Sequence, residues 1–108
     1  MTKVDELQRL RLMVTFQNLF YTPIYVAVNG GFLYRQGLNV MFSTVPSGST
    51  SIDILKEDRA DIVQSGLSRS FMELDEGNEG APLHIAEINQ RDGFFLLSRW
   101  PTKGWTWK

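Results

Sequence analysis

"PIYVAVNGGFLYRQGLNVMFSTV" (23–45) decides the fold. Pro23 suits the first position of a helix, where its missing N–H costs nothing, and Thr22 before it is a capping residue. Ile24, Ala27 and Val28 then form an apolar stripe at helical spacing. Gly30 fits the left-handed position that closes a helix. Phe32 and Tyr34 belong to a short turn that Gly37 ends, and "LNVMFSTV" (38–45) reads as a strand.

Working outward, "RLRLMVTF" (9–16) alternates and is rich in strand formers, and "QNLFYT" (17–22) links it to the helix. On the far side, "PSGST" (46–50) is a loop. Ser49 or Thr50 caps a second helix, "SIDILKEDR" (51–59), in which Ile52 and Leu55 stand three apart. "ADIVQSG" (60–66) is a short third strand. Ser68 caps "RSFMELDEG" (69–77), with Phe71, Met72 and Leu74 on one side. After the polar turn "NEGAP" (78–82) come two further extended runs, "LHIAEI" (83–88) and "DGFFLLSR" (92–99). The order β-α-β-α-β-α-β-β predicts an α/β fold: a mostly parallel sheet flanked by helices, joined by right-handed crossovers. Residues 1–99 form the lobe. "WPTKGWTWK" (100–108) is a tail or truncated connection whose tryptophans want a surface to cover.

Composition narrows the function. A chain of 108 residues holds one small domain. Eleven basic residues against twelve acidic leave a charge of −1, which argues against an electrostatic nucleic-acid binder. Cysteine is absent, so disulfide scaffolds, cysteine-based zinc sites and thiol catalysis are excluded. No apolar run reaches the length of a membrane span. The first residues, "MTKVDELQRLRLMV" (1–14), lack the apolar core of a secretion signal. The expected location is therefore periplasmic if a signal was removed and cytoplasmic if the N-terminus is native.

In an open parallel sheet, ligands bind outside the carboxyl ends of the strands. Three loops reach that edge. Two carry serine, glycine and a second hydroxyl at a helix start: Ser47, Gly48 and Ser49 in one, Ser65, Gly66 and Ser68 in the other. Unpaired N–H groups at a helix start attract an anion or other polar group, glycine admits it to the backbone, and hydroxyls add donors. A role as plain helix caps stands beside this one. The first loop adds Asn18, Phe20 and Tyr21, which can orient and stack on a ring or simply pack. Arg91 can meet a ligand anion or pair with Asp92. His84 reads as a satisfied strand-end histidine. The acidic "MELDEGNEG" (72–80) lacks the ligand spacing of a calcium loop, so no metal or cofactor is expected. Phosphate-loop, dinucleotide-binding, nucleophile-elbow and zinc-protease motifs are all missing from the sequence.

"FYTPIYVAVNGGFLYRQGLNVMF", "DILKEDRADIVQSG" and "GAPLHIAEINQRDGFFLLSR", in that order, resemble the first lobe of the NMT1/THI5-like solute-binding proteins. That group includes binding components of ABC transporters for nitrate, sulfonates and thiamine-related pyrimidines. The resemblance covers roughly residues 10–99. It implies the first lobe of a type II periplasmic-binding-protein fold, with ligand contacts from the loops at 18–22, 47–49 and 65–68. It also implies an ABC membrane component as partner. The group is about twice as long or more, so the resemblance places a second lobe and a return strand outside this chain. The open edge then left behind favours a homo-oligomer.

Three functions are weighed on these grounds. Binding of a polar or anionic solute for import leads. An enzyme on the same scaffold follows, either a dihydroxyphthalate-type decarboxylase or a pyrimidine-precursor synthase. One histidine and no cysteine count against it, and no nucleophile–base set can be named. An interaction or sensory lobe working through Trp100, Trp105 and Trp107 comes third.

Overall fold

The computed structural model describes residues 7–91, 93 and 95–106. Strand β1 (Gln8–Val14) lies at the centre of a three-stranded sheet in the order β2-β1-β3. It pairs in parallel with β2 (Leu38–Thr44) along its whole length, from Gln8 opposite Leu38 to Val14 opposite Thr44. On its other side it pairs in parallel with the short β3 (Ile62–Gln64), from Leu12 opposite Ile62 to Val14 opposite Gln64. The helices are α1 (Thr22–Asn29), α2 (Phe32–Arg35), α3 (Ser51–Lys56) and α4 (Leu67–Asp75), and a 3-10 turn (Leu19–Tyr21) precedes α1. The chain is thus the α/β fold with a parallel sheet that the sequence predicts.

Alternation along β1 builds two cores, because successive side chains leave opposite faces of a strand. Leu12 and Val14 meet Tyr21 and Ile24, with Tyr25, Val28, Leu33 and Phe42 around them. Tyr25 and Phe42 touch edge to face at 5.9 Å. Met13 points the other way, to Val45, Ile54, Ala60 and Val63 under α3. Helices therefore cover both faces of the sheet.

Local chemistry explains where the elements stop. Gly30 is not the left-handed residue: it stays right-handed at φ −78°, and Gly31 takes φ 72°. Gly30 is needed for space instead, since a Cβ there would lie 2.6 Å from the Val26 carbonyl oxygen. The segment after it is one helical turn, α2, rather than a loose turn. Helix α3 ends earlier than its sequence suggests because Asp58 adopts φ 54°. Arg11 holds that conformation, donating to the Asp58 carbonyl at 2.6 Å and to its carboxylate at 2.7 Å. The same guanidinium binds both oxygens of Asp61, tying the end of α3 and the start of β3 to β1. Those bonds hold the Asp61 carboxyl down to about 2 and push the Arg11 guanidinium up.

Two expected strands do not form. Residues 83–88 are extended but pair with nothing among the described residues, and residues 93 and 95–99 likewise carry no ladder. Asp92 and Phe94 lie outside the described residues. A strand needs a neighbour within about 5 Å, and a hollow separates residues 83–88 from β3. Among the described residues no helix is long and apolar enough to cross a membrane.

Candidate functional site

Because all three strands run parallel, their carboxyl ends share one rim. Side chains knit that rim together. Thr15, just past β1, donates to the Gln64 side-chain oxygen at the end of β3, at 3.0 Å. Gln17 donates to the Thr44 hydroxyl at the end of β2, at 2.7 Å. The hydroxyls of Ser51 at the start of α3 and Ser65 after β3 lie 2.7 Å apart. Ser51 is buried, so the pair satisfies a polar group that packing has removed from water.

A hollow of about 1620 Å³ opens beside β3 and reaches this rim. Phe20, Tyr21, Ser65, Gly66, Ser68 and Arg91 all line it. Loops that lie far apart in sequence thus converge on one space.

The other expected site residues do something else. Asn18 caps the 3-10 turn, its side-chain oxygen accepting from Phe20 N–H at 2.9 Å. Its own N–H donates to the Tyr25 hydroxyl at 3.0 Å. Ser47, Gly48 and Ser49 form a tight turn, with Ser49 N–H donating to the Pro46 carbonyl and Gly48 at φ 86°. They stand outside the hollow. Tyr21 has a double role, for it is buried against Leu12 and Val14 and meets Phe16 edge-on at 5.4 Å.

The two serine-bearing helix starts differ in how their amides are satisfied. Helix α3 closes on itself through a capping box. Thr50 Oγ1 accepts from Asp53 N–H, and Asp53 accepts from Thr50 N–H at 2.9 Å. The Thr50 bonds lower the Asp53 carboxyl below its ordinary range. Helix α4 has no such closure. Its cap is Gly66, which has no side chain to offer, rather than Ser68, which sits inside the first turn. Arg69 N–H donates to the Gly66 carbonyl at 3.3 Å, and the Leu67 and Ser68 N–H groups, which no described side chain has taken, start α4 at the hollow beside the exposed hydroxyl of Ser68.

Charges of both signs line the hollow, Asp61 and Glu87 among them, but two cations stand out. Arg69 and Arg91 line the hollow, and neither makes an ion pair with a described residue. Lys56, by contrast, is tied to Glu73 at 2.6 Å. Thr15, Gln64, Ser51 and Arg69 are rim residues that the sequence reading passed over. Their signal was positional: each lies at the carboxyl end of a strand or the first turn of a helix. Asn89, in the polar cluster that follows residues 83–88, donates its amide to the Phe20 carbonyl at 2.6 Å and ties residues 83–91 to the rim. His84 is satisfied by Ser70 at 2.8 Å, with no described carboxylate bonded to its ring. No cluster of three or more potential metal ligands occurs among the described residues.

A parallel open sheet with helices on both faces and a polar rim at its carboxyl edge is the architecture of one lobe of a periplasmic-binding-like fold. The chain is 27% identical over 103 residues to a Bacillus subtilis (strain 168) protein named "Putative binding protein YtlA". That match spans 95% of this chain and 31% of the relative, so the chain covers about a third of the relative's length. No family model and no solved structure matches.

Proposed function

We propose that the chain binds a small polar or anionic solute at the rim, as the ligand-contacting first lobe of a solute-binding protein. The observation that carries this reading is the uncapped start of α4, with Ser65, Gly66, Ser68 and Arg91 gathered around one hollow. Amide N–H groups and a guanidinium can only donate, and the serine hydroxyls can donate beside them, so the set favours acceptors: carboxylate, sulfonate, nitrate or a pyrimidine carbonyl. Phe20, which lines the hollow, is the aromatic side chain that an aromatic part of the solute would meet. The resemblance to NMT1/THI5-like proteins and the name borne by the Bacillus relative point the same way. On this reading residues 1–99 are the lobe and 100–108 its tail or connection. An ABC transporter membrane component receives the solute, and the chain self-associates.

A panel of sulfonates, aromatic carboxylates and pyrimidines tests the reading by thermal melting. A solute present at a hundredfold excess over its dissociation constant stabilises the fold by about 2.7 kcal/mol. The expected result is a raised melting temperature with at least one acceptor-rich member and no turnover of it. A flat response across the panel overturns the reading.

A further inference from the structure

We propose that the hollow beside β3 is also a strand slot, filled by residues 95–98 of a second copy of this chain. The slot has two open walls. No described residue pairs with the outer edge of β3 (Ile62–Gln64). Opposite it, residues 81–91 make no backbone–backbone hydrogen bond with any described residue. Side-chain ties to that segment among the described residues include Ser70 to His84 and Asn89 to Phe20. Unpaired backbone on facing extended segments is the template that an added strand completes.

Size and lining agree. At about 1620 Å³ the hollow exceeds the roughly 300–1,000 Å³ of a small-molecule site, so a rim-bound solute leaves most of it empty. Apolar residues stand on both walls, Leu10, Ile62 and Val63 on the sheet side and Leu83 and Ile85 on the other, with Asp61, His84 and Glu87 interleaved.

The chain carries a segment suited to that space. Residues 95–97 are Phe, Leu and Leu, 86%, 72% and 89% exposed, an apolar run with the composition of a strand and no packing of its own. The molecule is correspondingly long: its radius of gyration is 17.8 Å, against about 13 Å for a compact chain of this length. A projecting apolar arm in a chain with an empty strand position is the arrangement that segment exchange resolves, at little cost, by pairing two copies about a two-fold axis. Residues 95–98 extend over about 13 Å at 3.3 Å each, enough to run alongside the three residues of β3. The exchange is separate from solute binding and stands or falls independently of it.

Light scattering of the purified chain across a concentration series reads the mass. The expected value is twice 12.4 kDa. Phe95→Asp combined with Leu97→Asp is expected to return the monomer while the circular dichroism keeps its α/β form. Because the chain has no cysteine, Ile85→Cys and Leu97→Cys chains can be mixed and oxidised without competing thiols. Peptide mapping is expected to find positions 85 and 97 of different chains joined. This readout also decides the matter if the aspartate variant fails to fold. A monomer at every concentration, or a dimer lacking that link, overturns the proposal. So does a doubly substituted chain that closes the link within itself.

Discussion

Ile54→Ala is expected to cost about 2–5 kcal/mol of folding stability, the range for truncating a large aliphatic side chain in a core that cannot collapse around the gap. Ile54 is 0% exposed and sits between α3 and the sheet, against Val45 and Ala60 with Met13 and Val63 beside them. A domain of this size holds about 5–15 kcal/mol in total, so the loss consumes much of what keeps the lobe folded. Helix α3 has only six residues and cannot persist on propensity. Ile54 is the α3 side chain that enters the core cluster with Val45 and Ala60. Losing it also frees Ser51 from Ser65 and so disturbs the rim. Urea denaturation checks this: the midpoint falls sharply at an unchanged slope. Met41→Ala, at a position 54% exposed on β2, provides the control and stays within about 0.5 kcal/mol of wild type. An Ile54→Ala protein as stable as that control would mean that α3 does not seal this face.

Arg91→Ala is expected to weaken an anionic solute by about ten- to a hundredfold, because a hydrogen bond to a charged group contributes about 1.5–3 kcal/mol and each 1.4 kcal/mol is tenfold. Stability should barely change. Arg91 is exposed and makes no ion pair with a described residue. Calorimetric titration of both proteins with the strongest anionic solute from the melting panel makes the comparison. A neutral pyrimidine should lose much less, which separates loss of the charge from general damage to the rim. Equal affinities for the anion in both proteins would remove Arg91 from the site.

The parts of the fold legible in the sequence are those set by local pattern. The alternation through Leu10, Leu12 and Val14 marked β1. Pro23 marked the start of α1, and the two glycines marked its end, although Gly31 rather than Gly30 takes the left-handed turn. What failed was non-local. Residues 83–88 carry a strand-like sequence, yet pairing requires a neighbour, and β3 lies across the hollow from them. Hydrogen bonding by side chains was also opaque. Asn18 and Ser68 look alike as capping residues, but Asn18 caps its turn while Ser68 lies two residues past the cap position of α4. The same limit split the candidate site. Ser65, Gly66 and Ser68 reach the hollow, whereas Ser47, Gly48 and Ser49 turn away because Thr50 and Asp53 already close α3. The Ile54 side chain was overlooked because the spacing of Ile52 and Leu55 drew the stripe elsewhere. Ile54 stands two residues from Ile52, about 200° round the helix, so it packs against the sheet while Ile52 and Leu55 face the hollow.

The most direct measurement is amide chemical-shift mapping by nuclear magnetic resonance on the labelled chain, titrated with the solute that most raises its melting temperature. The expected perturbations cluster on residues 65–69, with a second group at 15–21 and a third at 89–91, while the turn at 46–49 stays still. Perturbations confined to the helical outer surfaces, or spread evenly over the chain, would contradict a solute site at the carboxyl rim of the sheet.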